Sequence, residues 1–461
     1  MKSEKNNLSK TVLTCVSVLP FLPIMGQTQN HPNVILILAD DMGYAGTTFF
    51  GGHNIETPTL DLLASEGVVC TNFHTNAPVS SPTRVSILTG NYQQRVGLNH
   101  IYSATDRMDG LDPNTNPTFA RQLQETGYRT GIFGKWHLGL DVSFNPTNHG
   151  FDEFRGFTMG NIDFISHRTR LGNVDWWHNK ELKDEPGYTT TLIHKHAIEF
   201  IKENKNNPFF LYISHGAIHT PIQGPDDPAI RDGINNPYDN AMGMEVIEYQ
   251  RRYREMIKSI DDGLQMLINE LNTQGILENT MIIFLSDNGA EAIAAEKYPG
   301  ANGYFRGAKN TLYEGGIRVP AIFYYPQKIK HSRTDELMMS MDLMPTILEL
   351  CNVELEKKVD GVSLLPTLID KKSIPRRSIY WANSGWIAMQ EGDWKIIKQR
   401  NRTELFNMLI DPKEQHDLSE IYPERFKQMQ EKMDYWWSDI TKGTRLENTP
   451  NILPANGAIG R

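Results

Sequence analysis

Apolar positions along the chain fall into two patterns. Short unbroken runs at 34–38 (Val-Ile-Leu-Ile-Leu) and 281–285 (Met-Ile-Ile-Phe-Leu) are each followed by acidic residues. Runs of that length read as strands buried on both faces. The segments 209–213 and 319–325 are further strands of this kind. Between them lie stretches with helical spacing. One covers 59–66, after Pro58 and before Gly67; another covers 118–126, before Gly127; longer ones span 191–203 and 245–272. Alternating strands and amphipathic helices predict an α/β fold. Near residue 370 the pattern changes. Short strands at 377–382, 386–390, 394–398 and 404–408 follow one another closely, and a helix at 423–439 comes after them. This predicts a small antiparallel sheet with one helix, so that 27–370 form the main domain and 371–461 an appended subdomain.

Residues 1–26 stand apart. Lys2, Lys5 and Lys10 precede an apolar run ending at Met25 and Gly26, and the chain then turns polar. A basic start, a short apolar centre and a small residue at the junction predict a secretory signal peptide. The run is short for a membrane span, so a periplasmic or secreted protein with no stable membrane anchor is expected. Three cysteines, Cys15, Cys70 and Cys351, are too few for a disulfide framework. The formal charge is -9, and cleavage after Gly26 removes three lysines and one glutamate, giving -11. An acidic chain of this kind argues against nucleic-acid binding. It leaves room for an anionic small substrate held by a few local cations.

The chemistry-bearing residues gather at strand ends. Asp40-Asp41 follow the first apolar run and Asp287-Asn288 follow the other. Sites in α/β sheets collect at the carboxyl ends of strands, and three carboxylates with an amide oxygen suit a hard cation, Ca²⁺ or Mg²⁺. Taken singly, either pair suits a turn or a helix cap better than a metal site. In Ser80-Ser81-Pro82-Thr83-Arg84, Pro82 suits the first helical position and Ser81 the cap, so a helix starts here with Ser80 at its positive end. Arg84 then lies a turn inside, near enough to pair with a carboxylate or an anion.

These segments resemble the sulfatase family. Ser80-Ser81-Pro82-Thr83-Arg84 with Leu88-Thr89-Gly90 resembles its signature, whose first position is Cys or, less often, Ser. Gly134-Lys135-Trp136-His137-Leu138-Gly139 resembles its second signature. Asp40-Asp41, Asp287-Asn288-Gly289, Ile218-His219-Thr220-Pro221, Lys309, and 313–320 (Tyr-Glu-Gly-Gly-Ile-Arg-Val-Pro) follow in the family order, as do 342–346 and 360–366. The resemblance implies an alkaline-phosphatase-like fold: a large mixed β-sheet between helices, with the smaller C-terminal sheet and helix. It implies that Ser80 is oxidised to formylglycine (3-oxoalanine). Its hydrate has two hydroxyls, one to take the sulfuryl group and one to expel sulfate. It also implies a Ca²⁺ ion held by Asp40, Asp41, Asp287 and Asn288 beside residue 80. Arg84 would orient the hydrate and the metal carboxylates, and Lys135 and Lys309 would neutralise sulfate oxygens. His137 would assist the second hydroxyl and His219 would protonate the leaving oxygen.

Two departures from the family pattern matter. Serine at position 80 implies a serine-type anaerobic maturating enzyme as partner, and Ile218 stands where the family often has proline. A phosphatase or phosphodiesterase of the same superfamily, or a non-catalytic glycan-binding protein, is the alternative. For substrate, the segment 161–178 carries His167, Arg168, Arg170, Asp175, Trp176 and Trp177. Aromatic platforms with charged neighbours suit sugars, so a sulfated carbohydrate is expected there, with His100 as a further contact. The pattern resembles that of galactose- or N-acetylgalactosamine-sulfate sulfatases, which implies such a sugar as substrate, and action at a chain end is expected.

Overall fold

The computed structural model describes residues 31–449 apart from 104, 238, 384 and 401. The expected signal peptide at 1–26, with Cys15, lies outside the described residues. Among those described, no helix is long and apolar enough to cross a membrane.

Five parallel strands form the middle of a ten-stranded sheet, in the spatial order Thr280–Ser286, Asn33–Ala39, Phe209–Ser214, Arg129–Lys135 and Glu153–Phe157. Beyond Thr280–Ser286 lie Ala321–Tyr324, antiparallel to it, then Val68–Cys70 and Ser332–Thr334. Beyond Glu153–Phe157 lies the hairpin of Trp177–His178 and Glu181–Leu182. Every residue of Asn33–Ala39 is buried, because helices cover both faces of the sheet. Ile35 and Ile37 point into one core, with the helices Pro58–Glu66, Thr189–Asn204 and Val246–Thr273. Val34, Leu36 and Leu38 point into the other, with Ser80–Thr89, Phe119–Glu125 and Leu343–Leu350. The unbroken apolar run is the product of this two-sided burial.

The strands Arg129–Lys135 and Glu153–Phe157 carry glycine and charge, which hid them from the apolar pattern. Gly134 is needed where it stands. Its φ is 111°, and a Cβ there would meet the Ser214 carbonyl oxygen at 1.9 Å. The predicted strand 319–325 shrinks to Ala321–Tyr324, since Pro320 has no N–H for the ladder.

The last part of the chain forms a four-stranded antiparallel sheet in sequential order, Ser378–Asn383, Trp386–Glu391, Trp394–Gln399 and Arg402–Asn407, followed by the helix Pro423–Ile440. It shares a third core with Tyr92, Leu312 and Ile317 of the preceding chain. The Trp381 indole N–H donates to the Thr75 carbonyl at 2.8 Å. The buried ammonium of Lys395 lies 2.7 Å from both Glu314 and Glu414.

Candidate active site

Strand register assembles the site. Ala39 pairs with Ser286 across neighbouring parallel strands, so the next residues, Asp40 and Asp287, emerge side by side. Asp41 turns back with φ of 60°, its N–H donating to Asp287 Oδ1 at 3.1 Å. Lys135 ends the strand that pairs with Phe209–Ser214 on the other side of Asn33–Ala39. All four side chains are buried.

Ser80 opens the helix Ser80–Thr89. The cap differs from the sequence reading. Val79 is the N-cap, its carbonyl accepting from Thr83 N–H, and Ser81 caps nothing. Pro82 still falls in the first turn, where no intrahelical N–H is required. Ser81 Oγ instead accepts the Tyr102 N–H at 3.3 Å, which brings the loop carrying His100 alongside the helix start.

Ser80 is 2% exposed. Its hydroxyl is the group that faces the site. It donates to Asp40 Oδ1 at 3.2 Å and accepts from Lys135 Nζ at 3.1 Å; Lys135 also donates to Asp40 Oδ2 at 2.6 Å. Arg84 donates twice to Asp287 Oδ2, at 3.2 and 2.8 Å, and its guanidinium lies 3.9 Å from Asp40. Asn288 donates through Nδ2 to Asp41 Oδ1 at 2.6 Å, while its buried Oδ1 has no partner among the described residues. Carboxylate oxygens of Asp40, Asp41 and Asp287 lie within 4.8 Å of one another. Three carboxylates and an unsatisfied amide oxygen are the donor set of a hard divalent cation.

A second group adjoins the first. Lys309 Nζ donates to Asp41 Oδ2 at 2.7 Å and to Glu291 Oε1 at 3.2 Å. His219 Nε2 lies 3.7 Å from Asp41 and 3.9 Å from Glu291, and its Nδ1 donates to the Thr220 carbonyl at 2.7 Å. The Ala217–Ile218 peptide, at the family's proline position, is cis. Burial, reinforced by Lys309, holds the His219 imidazole down to about 3. Lys309 moves the other way: burial alone would lower it, but Asp41, Glu291 and Asp40 outweigh this and raise it. Burial lowers Lys135 despite Asp40. His137 has φ of 57° and a buried Nδ1 without a partner among the described residues; enclosure, then Lys135 and Arg84, hold its pKa well below the ordinary value. Gly160 packs so closely on this ring that a Cβ would lie 2.9 Å from Nε2.

Two residues here were not singled out from the sequence. Glu291 follows Asn288 by three positions and was readable as an extension of that acidic segment. Ser214 accepts from Arg84 and donates to the Lys135 carbonyl at 2.7 Å. It carries no local signal, because only strand pairing brings it there.

The segment 161–178 differs from the sequence reading. Trp176 is fully buried, stacks on His167 at 4.7 Å and donates its indole N–H to Glu185 at 3.0 Å, so neither face is open to a sugar. His167 is 2% exposed beneath it. The Asp175 carboxylate is saturated by Thr158 N–H, Thr158 Oγ1, Met159 N–H and Trp177 Nε1, at 2.6–3.2 Å. Apolar surface and buried polar groups here serve the fold. Arg168 donates to the Gly172 carbonyl at 2.7 Å, and Arg170 is exposed. His100 is partly exposed on its loop.

Comparison with known proteins supports the same picture. The sulfatase family profile matches residues 32–353, and a profile described as N-sulphoglucosamine sulphohydrolase, C-terminal, matches 300–440. The rat (Rattus norvegicus) N-acetylgalactosamine-6-sulfatase is 31% identical over 425 residues, covering 86% of this chain and 78% of that protein. The crystal structure of Ps i-CgsB in complex with k-i-k-neocarrahexaose superposes with a TM-score of 0.78 at 28% identity, covering 91% of this chain and 96% of the other. The phosphonate monoester hydrolase of Agrobacterium radiobacter shares the fold, with a TM-score of 0.64 at 18% identity over 89% of this chain and 96% of its own.

Proposed function

The chain belongs to the sulfatase family and is a sulfuric ester hydrolase; from that premise we propose that it removes sulfate from a terminal galactose or N-acetylgalactosamine of a sulfated glycan, using a formylglycine made from Ser80. The observation that carries the reading is the environment of Ser80. A hydroxyl at a helix N-terminus sits between the Asp40 carboxylate and the Lys135 ammonium, beside a buried amide oxygen that lacks a partner among the described residues. The donors of Asp40, Asp41, Asp287 and Asn288 fit Ca²⁺, which when bound supplies positive charge to a sulfate oxygen and to the nucleophile. Formylglycine, as its hydrate, supplies two hydroxyls in place of one, so that sulfate can leave as the aldehyde re-forms.

This chain's own residues have defined work. Arg84 and Lys135 fix the carboxylates and residue 80 against the helix start. Three cations, Arg84, Lys135 and Lys309, face four carboxylates, Asp40, Asp41, Asp287 and Glu291, a net charge of -1. A divalent cation and a sulfate monoester can therefore enter together with little net charge to bury. Lys135 and Lys309 then donate to sulfate oxygens as charge builds. His219, whose Nδ1–H is held by the Thr220 carbonyl, takes up a second proton at Nε2 once the anionic ester is bound and gives it to the leaving oxygen, and unprotonated His137 would accept a proton from residue 80.

A two-metal phosphatase site is disfavoured by Lys309. Asp41, His219 and Glu291 form a second potential metal trio, and the Lys309 ammonium lies against Asp41 and Glu291 in its place. Sugar recognition we assign to His100, whose loop is tied to Ser81, and to the exposed Arg170. The relative's name, N-acetylgalactosamine-6-sulfatase, supports an N-acetylgalactosamine-type substrate, and the k-i-k-neocarrahexaose bound by the structural neighbour supports a saccharide. A serine-type anaerobic maturating enzyme is the expected partner, and the periplasm or exterior the expected location.

The test is a mass spectrum of the peptide containing residue 80. Protein co-expressed with a serine-type maturating enzyme carries residue 80 lighter by two hydrogens, and Ser80→Ala folds without turnover. Full activity with unmodified serine would refute the mechanism.

A further inference from the structure

We propose that His178, Glu185 and His196 form a binding site for a zinc-class divalent metal at the margin of the large sheet, where the ion clamps the outer hairpin to the helix behind it. The three come from separate pieces of chain. His178 lies on the strand Trp177–His178, Glu185 in the link that follows the hairpin, and His196 on the helix Thr189–Asn204. Their nearest ligand atoms lie within 4.8 Å of one another. His196 Nε2 is 2.8 Å from Glu185 Oε2, and His178 Nε2 is 3.3 Å from the same oxygen. Ligand atoms about 3.3 Å apart are what a tetrahedral ion with bonds of about 2.0–2.1 Å requires.

The ring of His196 lies between two carboxylates. Its Nδ1 lies 3.0 Å from Glu199 Oε2 and its Nε2 2.8 Å from Glu185 Oε2, so both ring nitrogens face carboxylates. Two carboxylates facing one ring call for positive charge there, which either a second ring proton or an ion on Nε2 supplies. With the N–H given to Glu199, Nε2 is free for a metal, the carboxylate–histidine–metal arrangement of protein zinc sites. One neighbour has to turn: the Arg155 N–H now aimed at Nδ1 has the Glu199 carboxylate, 4.0 Å away, as its alternative acceptor. Arg155 lies 3.2 Å from His196 Nδ1 and is held by Glu153 at 2.7 Å. Trp176 Nε1 donates to Glu185 Oε2 at 3.0 Å, and Lys195 Nζ reaches Glu185 Oε1 at 3.2 Å from an exposed position. A carboxylate has lone pairs enough for these donors and an ion.

Two imidazoles and one carboxylate favour zinc over calcium or magnesium, which take oxygen donors. Exposure rises from 1% at His196 through 16% at Glu185 to 30% at His178. The site thus has a closed floor against Phe133 and an open side for entry and a water ligand. It is separate from the acidic cluster: the strand of His178 lies four positions across the sheet from Asn33–Ala39, about 19 Å at ordinary strand spacing.

The experiment uses the full chain, stripped with chelator, supplied with Ca²⁺, and titrated with Zn²⁺ by calorimetry and by thermal unfolding. Wild type takes up one zinc per chain and its melting temperature rises by a few degrees. His178→Asn and Glu185→Gln, at the open side, weaken that uptake at least about tenfold, as loss of a metal ligand does, and keep wild-type aryl sulfate turnover, which verifies their fold. Cobalt substitution gives the visible absorption of a tetrahedral N/O site in wild type alone. Zinc uptake that is absent, or identical in wild type and both variants, would overturn the proposal; the second result would assign the ion to the acidic cluster. Neither result bears on the role of Ser80.

Discussion

Asp175 separates two accounts of the segment beside His137. Read from sequence, this carboxylate contacts sugar. In the structure it holds the backbone N–H groups of Thr158 and Met159, the Thr158 hydroxyl and the Trp177 indole, and the next residue, Gly160, packs on the His137 ring. In Asp175→Ala, the Thr158 hydroxyl can rotate and the half-buried Trp177 can reach water, but two buried backbone N–H groups lose their acceptor. At roughly 1–3 kcal/mol for each unsatisfied group, the loss is about 4 kcal/mol, a large share of the stability of a typical domain. Asp175→Asn keeps an oxygen for the backbone donors and orphans chiefly the indole, costing about 1–2 kcal/mol. Denaturant unfolding reads both values. Activity follows the backbone: a displacement of the His137 wall by about 1 Å lowers kcat/KM about a hundredfold. The loss in Asp175→Ala falls equally on a sulfated saccharide and on a small aryl sulfate, and Asp175→Asn restores most of it. His100→Ala, by contrast, reduces turnover of the saccharide alone. If Asp175→Ala impaired only the saccharide, with stability intact, the carboxylate would be a sugar ligand and this reasoning would fail.

Asp287→Asn loses a metal ligand and the partner of Arg84, so elemental analysis finds the hard cation missing and kcat falls at least about a hundredfold; retention of both would refute the assigned site. Lys309→Ala removes the ammonium between Asp41 and Glu291, so a Mn²⁺ titration gains one site per chain while sulfatase turnover falls; an unchanged stoichiometry would remove the argument against a two-metal site. His149 and His194 are buried, and burial holds them down to about 3 and about 4, below the ordinary 6.5. Between those values and 6.5 the unfolded chain binds more protons, so the stability they contribute is complete above pH 6.5 and is lost as pH falls. Each loses about 2 kcal/mol by pH 5. His149→Leu flattens the fall measured by urea unfolding between pH 8 and 5; an unchanged slope would contradict the assignment.

What the sequence determined by itself was what local chemistry encodes. Apolar runs such as 34–38 are strands because two helical layers must cover them, and Ser80 opens a helix because proline tolerates only its first turn. The acidic pairs after two strands, Lys135, His219 and Lys309 were legible because each sits in a short motif. Folding then decided whatever depends on partners far along the chain. The register Ala39–Ser286 turns two acidic segments into one cluster, leaving Asn288 Oδ1 without a partner among the described residues. Glu291 and Ser214 join it only through the placement of Lys309 and Arg84. In the segment 161–178, charged and aromatic residues look the same in sequence whether they face a sugar or the interior. Burial alone separated them: Trp176 stacks on His167 within the core, and the saturated Asp175 props the wall beside His137. Burial is a property of the packed whole. A side chain's neighbours, on elements that may lie a hundred residues away, determine whether its polar atoms meet solvent, substrate or one another.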